Sequence, residues 1–352
     1  MVALKNKLGA NRENINVTIP TDTREIIGND IKIGILDADF THKHEYNKDF
    51  EIVRPFYFAS DVGRASWDNN DSVSPHGEQV LEVLQDRSII KTSSFFNSPL
   101  DYEANSKNKI GIVSASIGIG GTNKNDKRVK PNLEVYRRML DLYLEDQNVK
   151  IFNQSWGAEK TIEDPYFIGK NLRNYVFDEK DTDPYIIPFF EEAVNNKNAL
   201  FIWAAGNDPT NDVTLEAGLP YFSYKLEKGW IAAIGITPEE MVKNGNEWKK
   251  VPNGKLNIHR PGNERLAYAG EKAKWWAISA DDRSMFWPTS TGYRYAIGSS
   301  FATPRVTRAA ALVAEKFPWM TNDQIRQTLF TTTDDTEINS NIIGEDRRRI
   351  KT

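Results

Sequence analysis

Residues 31–39 read Ile-Lys-Ile-Gly-Ile-Leu-Asp-Ala-Asp, an apolar run from Ile31 to Leu36 that ends abruptly in carboxylates at positions 37 and 39. A short, isoleucine-rich run of this kind predicts a strand buried on both faces of a parallel sheet. Similar runs recur at Ile110–Ile117, Val149–Phe152, Leu200–Ala205 and Trp230–Ile236. Amphipathic stretches lie between them at 77–90, 132–146 and 185–196, and a terminal pair follows at 303–316 and 321–331. Strands alternating with helices predict an α/β fold: doubly wound, with a mainly parallel central sheet and helices on both faces.

The rest of the chain fits around that sheet. Its 352 residues suffice for one large core, and no repeat or Pro/Ser/Gly linker divides them. The simplest organisation is a polar surface arm over 1–30, one domain over 31–335 and a polar tail over 336–352. Residues 158–184 lack a period and predict a surface excursion. The Asn-Gly pairs at 244–245 and 253–254 predict a hairpin or long loop within 238–263. After the Phe317-Pro318 break, Thr321 or Asn322 would cap the last helix.

Composition narrows the function classes. A net charge of −4 offers no broad basic surface, so electrostatic binding to nucleic acid is not favoured. No apolar stretch approaches the roughly 20 residues that a membrane-spanning helix needs. The chain has no cysteine, which removes disulfides, thiolate metal sites and cysteine nucleophiles together. The first residues, MVALKNKLGANRENINVTIP, lack the apolar core of an intact signal peptide.

Four segments carry residues suited to chemistry. In GSSFATPRVTRAAALVAEKF, residues 298–317, Gly298 permits a tight entry turn and Pro304 falls in the first helical turn. Ser300 then sits at a helix N-terminus, where free N–H groups and the dipole favour a developing oxyanion. The plainer reading is that Ser299 and Ser300 only cap the helix. A serine nucleophile needs a base that titrates near neutrality, and the chain has only four histidines: His42, His44, His76 and His259. His76, beside Gly77 and ahead of Val80-Leu81 and Val83-Leu84, is the candidate, while the other three read as solvated surface.

Asp37 ends its apolar run on the sheet edge where open α/β folds place their sites, and a carboxylate there fixes a histidine tautomer. Asp39 points to the same side of an extended chain and competes with it. The fourth segment, Leu200-Phe-Ile-Trp-Ala-Ala-Gly-Asn207, ends a buried strand in small residues and an amide that donates hydrogen bonds without charge. Ala204, Ala205 and Gly206 would line a pocket there. Ser155-Trp156-Gly157 follows another strand and offers an edge on which an extended peptide pairs, although a lone tryptophan is more often core.

These segments resemble the subtilase family of serine peptidases in type, order and spacing. The order Asp37, His76, Asn207, Ser300 matches that family and not other serine hydrolases. Ala204-Ala-Gly-Asn207 is similar to its oxyanion motif and Gly298-Ser-Ser-Phe-Ala-Thr-Pro304 to its serine signature. The resemblance implies peptide hydrolysis through an acyl-enzyme: Ser300 as nucleophile, His76 as base, Asp37 as orienting group and Asn207 as oxyanion donor. Three departures stand beside the site: Glu78-Gln79 after His76-Gly77, Asp37-Ala38-Asp39 for Asp-Ser/Thr-Gly, and Ala280-Asp-Asp-Arg for Ala-Pro-Gly.

Residues 272–279 and 317–330 look like those of autotransporter subtilases. That implies a protease domain cut from a longer exported passenger, without its leader and translocator, acting on polypeptides in a secreted or bacterial cell-surface location. A cytoplasmic location is the alternative, since the chain carries no signal peptide. No obligatory cofactor is expected. Subtilases often hold structural calcium, but no dense Asp/Asn loop stands out, and the acidic runs at 178–183 and 334–337 read as solvated surface. Two rivals come from other classes: an inactive subtilase serving as a binding scaffold, and dinucleotide binding through Gly118-Ile-Gly120-Gly121. The second is weakened by Asn123, where a further glycine belongs.

Overall fold

The computed structural model describes residues 17–18, 31–37, 50–58, 76–84, 110–116, 133–145, 148–157, 161–162, 186–207, 212–236, 242–244, 247–249, 270–289, 292–332, 335–337 and 349–351. In chain order the first half runs β1 (Val17–Thr18), β2 (Lys32–Asp37), β3 (Phe50–Phe58), α1 (His76–Leu84), β4 (Ile110–Ser116), α2 (Leu133–Glu145), β5 (Ile151–Gln154), α3 (Ile186–Asn195) and β6 (Leu200–Ala204). There follow β7 (Trp230–Ile236), β8 (Val242–Asn244), β9 (Glu247–Lys249), α4 (Gly270–Ala273), β10 (Ala277–Asp281), β11 (Arg283–Thr289) and β12 (Gly292–Ile297). The chain closes with α5 (Ser299–Lys316), α6 (Asn322–Thr332), β13 (Asp335–Glu337) and β14 (Arg349–Lys351).

Every apolar run read from the sequence forms a strand of one ten-stranded sheet, ordered β1-β3-β4-β2-β5-β6-β7-β10-β14-β13. All pairings from β3 through β14 are parallel, and only the edge strands β1 and β13 pair antiparallel. The N-terminal stretch thus supplies an edge strand, and Arg349–Lys351 of the polar tail pair with β10 and β13. β8 and β9 make the hairpin expected near Asn244, joined through Asn244 and Glu247. The second Asn-Gly pair lies outside the described residues.

Alternation along each strand splits the core in two. On one face Ile33, Ile35, Ile112, Ile151, Leu200, Ile202, Ile231 and Ala233 pack against α1, α5 and α6. Here α5 presents Ala310, Ala311 and Ala314, whose small side chains let the helix approach the sheet closely. The other face is aromatic: Phe152 stacks on Phe201 at 4.8 Å and Trp203 on Trp230 at 5.6 Å. Phe190 of α3 meets both Phe201 and Trp230 edge-on at 5.1 Å, a favoured ring geometry. The sheet is therefore covered on both sides, as expected of a doubly wound fold.

Two sequence expectations about α5 need correction. The helix begins at Ser299 rather than 303, so Pro304 lies inside it and cannot donate to the Ser300 carbonyl. Gly298 adopts φ 169° and ψ 153°, an extended conformation open to any residue, so the entry to α5 does not depend on glycine's freedom. At the next helix, Thr321 is the cap: its Oγ1 accepts from the Gln324 N–H at 3.2 Å, and Gln324 Oε1 accepts from the Thr321 N–H at 2.8 Å.

Candidate active site

The chain leaves β2 for β3 and β4 on one side, then crosses to β5 on the other. The carboxyl end of β2 is therefore a topological switch point, where open sheets part to form a crevice. Asp37 is the last residue of β2 and is only 1% exposed. His76 opens α1, and its Nδ1–H donates to Asp37 Oδ1 at 2.6 Å. A carboxylate accepts only, so this contact places the proton on Nδ1 and leaves Nε2 as the basic nitrogen. Burial is the largest single influence on the imidazole and lowers its pKa. The Asp37 charge and hydrogen bond together outweigh burial, and the net shift is upward.

α1 packs against α5, bringing the His76 ring within 6.2 Å of the Phe301 ring, centroid to centroid. Phe301 directly follows Ser300, which occupies the second position of α5 and is 9% exposed. The N–H groups of a first helical turn have no carbonyl within the helix to meet. Thr303 Oγ1 donates to the Ser299 carbonyl at 2.8 Å, and the Gly298 N–H donates to the Asp282 carbonyl at 2.9 Å. Arg305 Nη1 also donates to the carbonyls of Asp281 and Phe301, both at 2.9 Å. The Asp281-Asp282 pair thus fastens the serine segment through its backbone carbonyls.

Asn207 lies just beyond β6, after Gly206 at φ 116°, a left-handed conformation that favours glycine. Its Oδ1 accepts from the Ser299 N–H at 2.9 Å and from the Ser299 hydroxyl at 3.0 Å. A backbone N–H can only donate, so the amide orientation is fixed and its NH₂ group is left as a donor. Ser299 Oγ in turn accepts from the Gly206 N–H at 3.2 Å. By its sequence position Ser299 suggests only a helix cap. Nothing in the local pattern shows that its partner is 92 positions away.

The segment after β5 is mixed. Ser155 is buried, with its Oγ accepting from Asn153 Nδ2 at 2.9 Å, and Gly157 is exposed. The Trp156 side chain belongs to the core: it is 8% exposed, lies edge-on to Tyr136 and Trp203, and donates its indole N–H to the Leu36 carbonyl at 3.0 Å. Its ring is not an open pocket wall, so only its backbone is available to a substrate. Ala204 and Ala205 are buried, and Gly206 is half-buried. Asp39, His42, His44, His259 and the Gly118–Gly121 motif lie outside the described residues, as does all of 158–184 except Thr161 and Ile162. Among the described residues, no helix is long and apolar enough to cross a membrane.

Known proteins resemble this chain in sequence and in fold. The family model described as the subtilase family matches residues 28–345. The autotransporter lipoprotein NalP of Neisseria meningitidis serogroup B is 34% identical over 145 residues, 40% of this chain and 12% of that protein. Serotype-specific antigen 1 of Mannheimia haemolytica is 25% identical over 197 residues, 54% of this chain and 19% of that protein. The matches thus span less than a fifth of these relatives' length.

Among solved structures, the prenylagaramide maturation protease PagA superposes with a TM-score of 0.52 at 16% identity, covering 91% of this chain and 89% of that one. The nisin leader peptidase NisP of Lactococcus lactis gives a TM-score of 0.50 at 16% identity, covering 90% and 88%. With a family match over residues 28–345 and a fold shared with these proteins, the chain belongs to the subtilase family of serine-type peptidases.

Proposed function

We propose that this chain is an endopeptidase that cleaves polypeptides through an acyl-enzyme, with Asp37, His76 and Ser300 as its triad. The observation that carries the reading is the 2.6 Å contact from His76 Nδ1 to buried Asp37, made beside the N-terminus of α5. In the reaction, His76 Nε2 takes the Ser300 proton as Oγ attacks the scissile carbonyl, then returns it to the leaving amine. Asp37 holds the imidazole and stabilises its charged form. The Asn207 NH₂ and the Ser300 N–H stabilise the oxyanion, each worth about 3–4 kcal/mol of barrier. The substrate lies extended along Ser155–Gly157, with its primary side chain between that segment and Ala204–Gly206. Acyl transfer through these groups calls on no obligatory metal or organic cofactor.

The names of the relatives, an autotransporter lipoprotein and a serotype-specific antigen, support a secreted or cell-surface setting. The scaffold alternative is disfavoured, because a non-catalytic module has no need of a carboxylate–imidazole pair beside the serine helix.

The test is covalent labelling. A fluorophosphonate should modify the folded protein stoichiometrically, with the adduct on Ser300 by peptide mass spectrometry, and Ser300→Ala should lose both labelling and peptide hydrolysis. A folded protein that resists the label would favour the scaffold.

A further inference from the structure

We propose that Asn153 and Thr307 are positioning residues: a buried polar pin that sets the register of the substrate strand Ser155–Gly157 against the serine helix. The inference rests on the catalytic reading above and adds the residues that hold its two halves in step.

α5 meets the sheet through an apolar layer, in which Val306, Ala310 and Ala311 join Ile35, Ile151 and Ile202. Contacts of that kind are non-directional, so they favour close approach without specifying where the helix stands along the strands. Asn153 and Thr307 interrupt this layer, and both are fully buried. The Thr307 hydroxyl shares its proton between two acceptors, the Thr303 carbonyl one turn back at 2.9 Å and Asn153 Oδ1 at 3.1 Å. The other end of the amide donates from Nδ2 to Ser155 Oγ at 2.9 Å. These bonds are satisfied together in one alignment of helix and strand only. A slide along the interface would strand buried polar groups where no water can replace the lost partner.

The pin reaches both halves of the site. Thr307 lies two turns beyond Ser300, on the same side of α5 and about 10 Å along its axis. Asn153 closes to within two residues of Ser155, about 7 Å along the chain. The helix carries the contact further, since Thr303 Oγ1 donates to the Ser299 carbonyl at 2.8 Å. On the sheet side Asn153 is held in register with Ile35 of β2 and Ile202 of β6. A scissile bond held by one element and attacked from another tolerates little mismatch. Displacement by about 1 Å costs on the order of 10²-fold in rate.

The experiment compares two substrates. A tetrapeptide p-nitroanilide pairs with Ser155–Gly157, whereas p-nitrophenyl acetate has no peptide group and reports acyl transfer to Ser300 alone. Thr307→Val keeps the volume and removes the hydroxyl. It should lower kcat/KM for the tetrapeptide by about tenfold or more, while the acetate stays within about twofold of wild type. Thr307→Ser restores the hydroxyl and should recover the peptide rate. Asn153→Ala should reproduce the peptide loss, and the double variant should lose no more than the larger single loss, because the two act through one contact. Thr307→Ala is read in place of the valine variant if that protein does not fold. Equal losses on both substrates, an unchanged peptide rate, or additive losses in the double variant each overturn the proposal. Folded wild type that hydrolyses neither substrate and resists fluorophosphonate removes the catalytic reading itself, a result distinct from an active enzyme whose peptide rate ignores the pin.

Discussion

Ser299 grips Asn207 by its amide oxygen, through the backbone N–H at 2.9 Å and the hydroxyl at 3.0 Å. This double contact fixes which end of the amide can donate. In the proposed mechanism it presets the oxyanion donor before substrate arrives, so no reorganisation is needed at the moment of reaction.

Ser299→Ala should therefore act mainly on kcat, by about tenfold, with little change in KM, because ground-state contacts are untouched. Asn207→Ala should cost about 10²–10³ in kcat. The double variant should cost little more than Asn207→Ala alone, since the two residues act through one donor. Ser299→Thr keeps the hydroxyl and should recover most of the rate. Steady-state kinetics on one peptide decides this: additive losses would mean that Ser299 acts independently of the amide.

The pH response should follow from the raised pKa of His76, in which the Asp37 charge and hydrogen bond outweigh burial. A histidine base works only when neutral, so kcat/KM should rise with pH through a value above the ordinary 6.5 or so. Asp37→Asn keeps the burial but removes both raising influences. Its acid limb should fall below the ordinary value, and kcat should drop by about 10⁴ as the tautomer is lost. An acid limb that does not move in the variant would exclude Asp37 as the controlling partner.

The same shift has a stability signature with a definite sign. A pKa raised by folding contributes stability in full below the unfolded value of about 6.5 and loses it as pH rises through the folded value. The difference in urea midpoint between wild type and Asp37→Asn should narrow from pH 6 upward. A gap that widens with pH would contradict the pairing.

Trp156 links the end of β5 to the end of β2, donating to the Leu36 carbonyl at 3.0 Å and to Gln154 Oε1 at 2.9 Å. Leu36 directly precedes Asp37. Trp156→Phe keeps the aromatic packing with Tyr136 and Trp203 but removes the donor. The cost should be about 1–3 kcal/mol in denaturant unfolding, as expected when buried acceptors lose their partner. A loss under about 0.5 kcal/mol would mean that the indole contributes by shape alone.

Thr321→Ala tests the cap of α6, well separated in the fold from the crevice. Removing the hydroxyl that accepts from the Gln324 N–H should cost about 1 kcal/mol and lower Tm by a few degrees, while kcat/KM stays the same. A fall in activity without a fall in Tm would reveal a coupling between α6 and the site.

Much of this arrangement is legible in the chain because burial imposes a pattern. Strands such as Leu200–Ala204 and Trp230–Ile236 are covered on both faces, so their sequences are continuous apolar runs. Strands β3 and β11 carry no such signal: FEIVRPFYF holds Glu51, Arg54 and Pro55, and RSMFWPT holds Arg283 and Pro288, which break any run. Helix α5 is longer than its pattern predicts, because Pro304 fits a first-turn position and yet lies inside the helix. In the fold, proline is tolerated deeper in the helix than its preference suggests.

By itself the sequence determined the strand and helix alternation, the residues at the strand ends and their order along the chain, because local burial and turn chemistry act on near neighbours. Only the tertiary structure decided which of these residues meet. Asp37 and His76 are 39 positions apart, Ser299 and Asn207 are 92 apart, and the Thr214 side chain lies over Gly157. Such contacts follow from sheet order and helix packing, and those are set by the whole core rather than by any single segment.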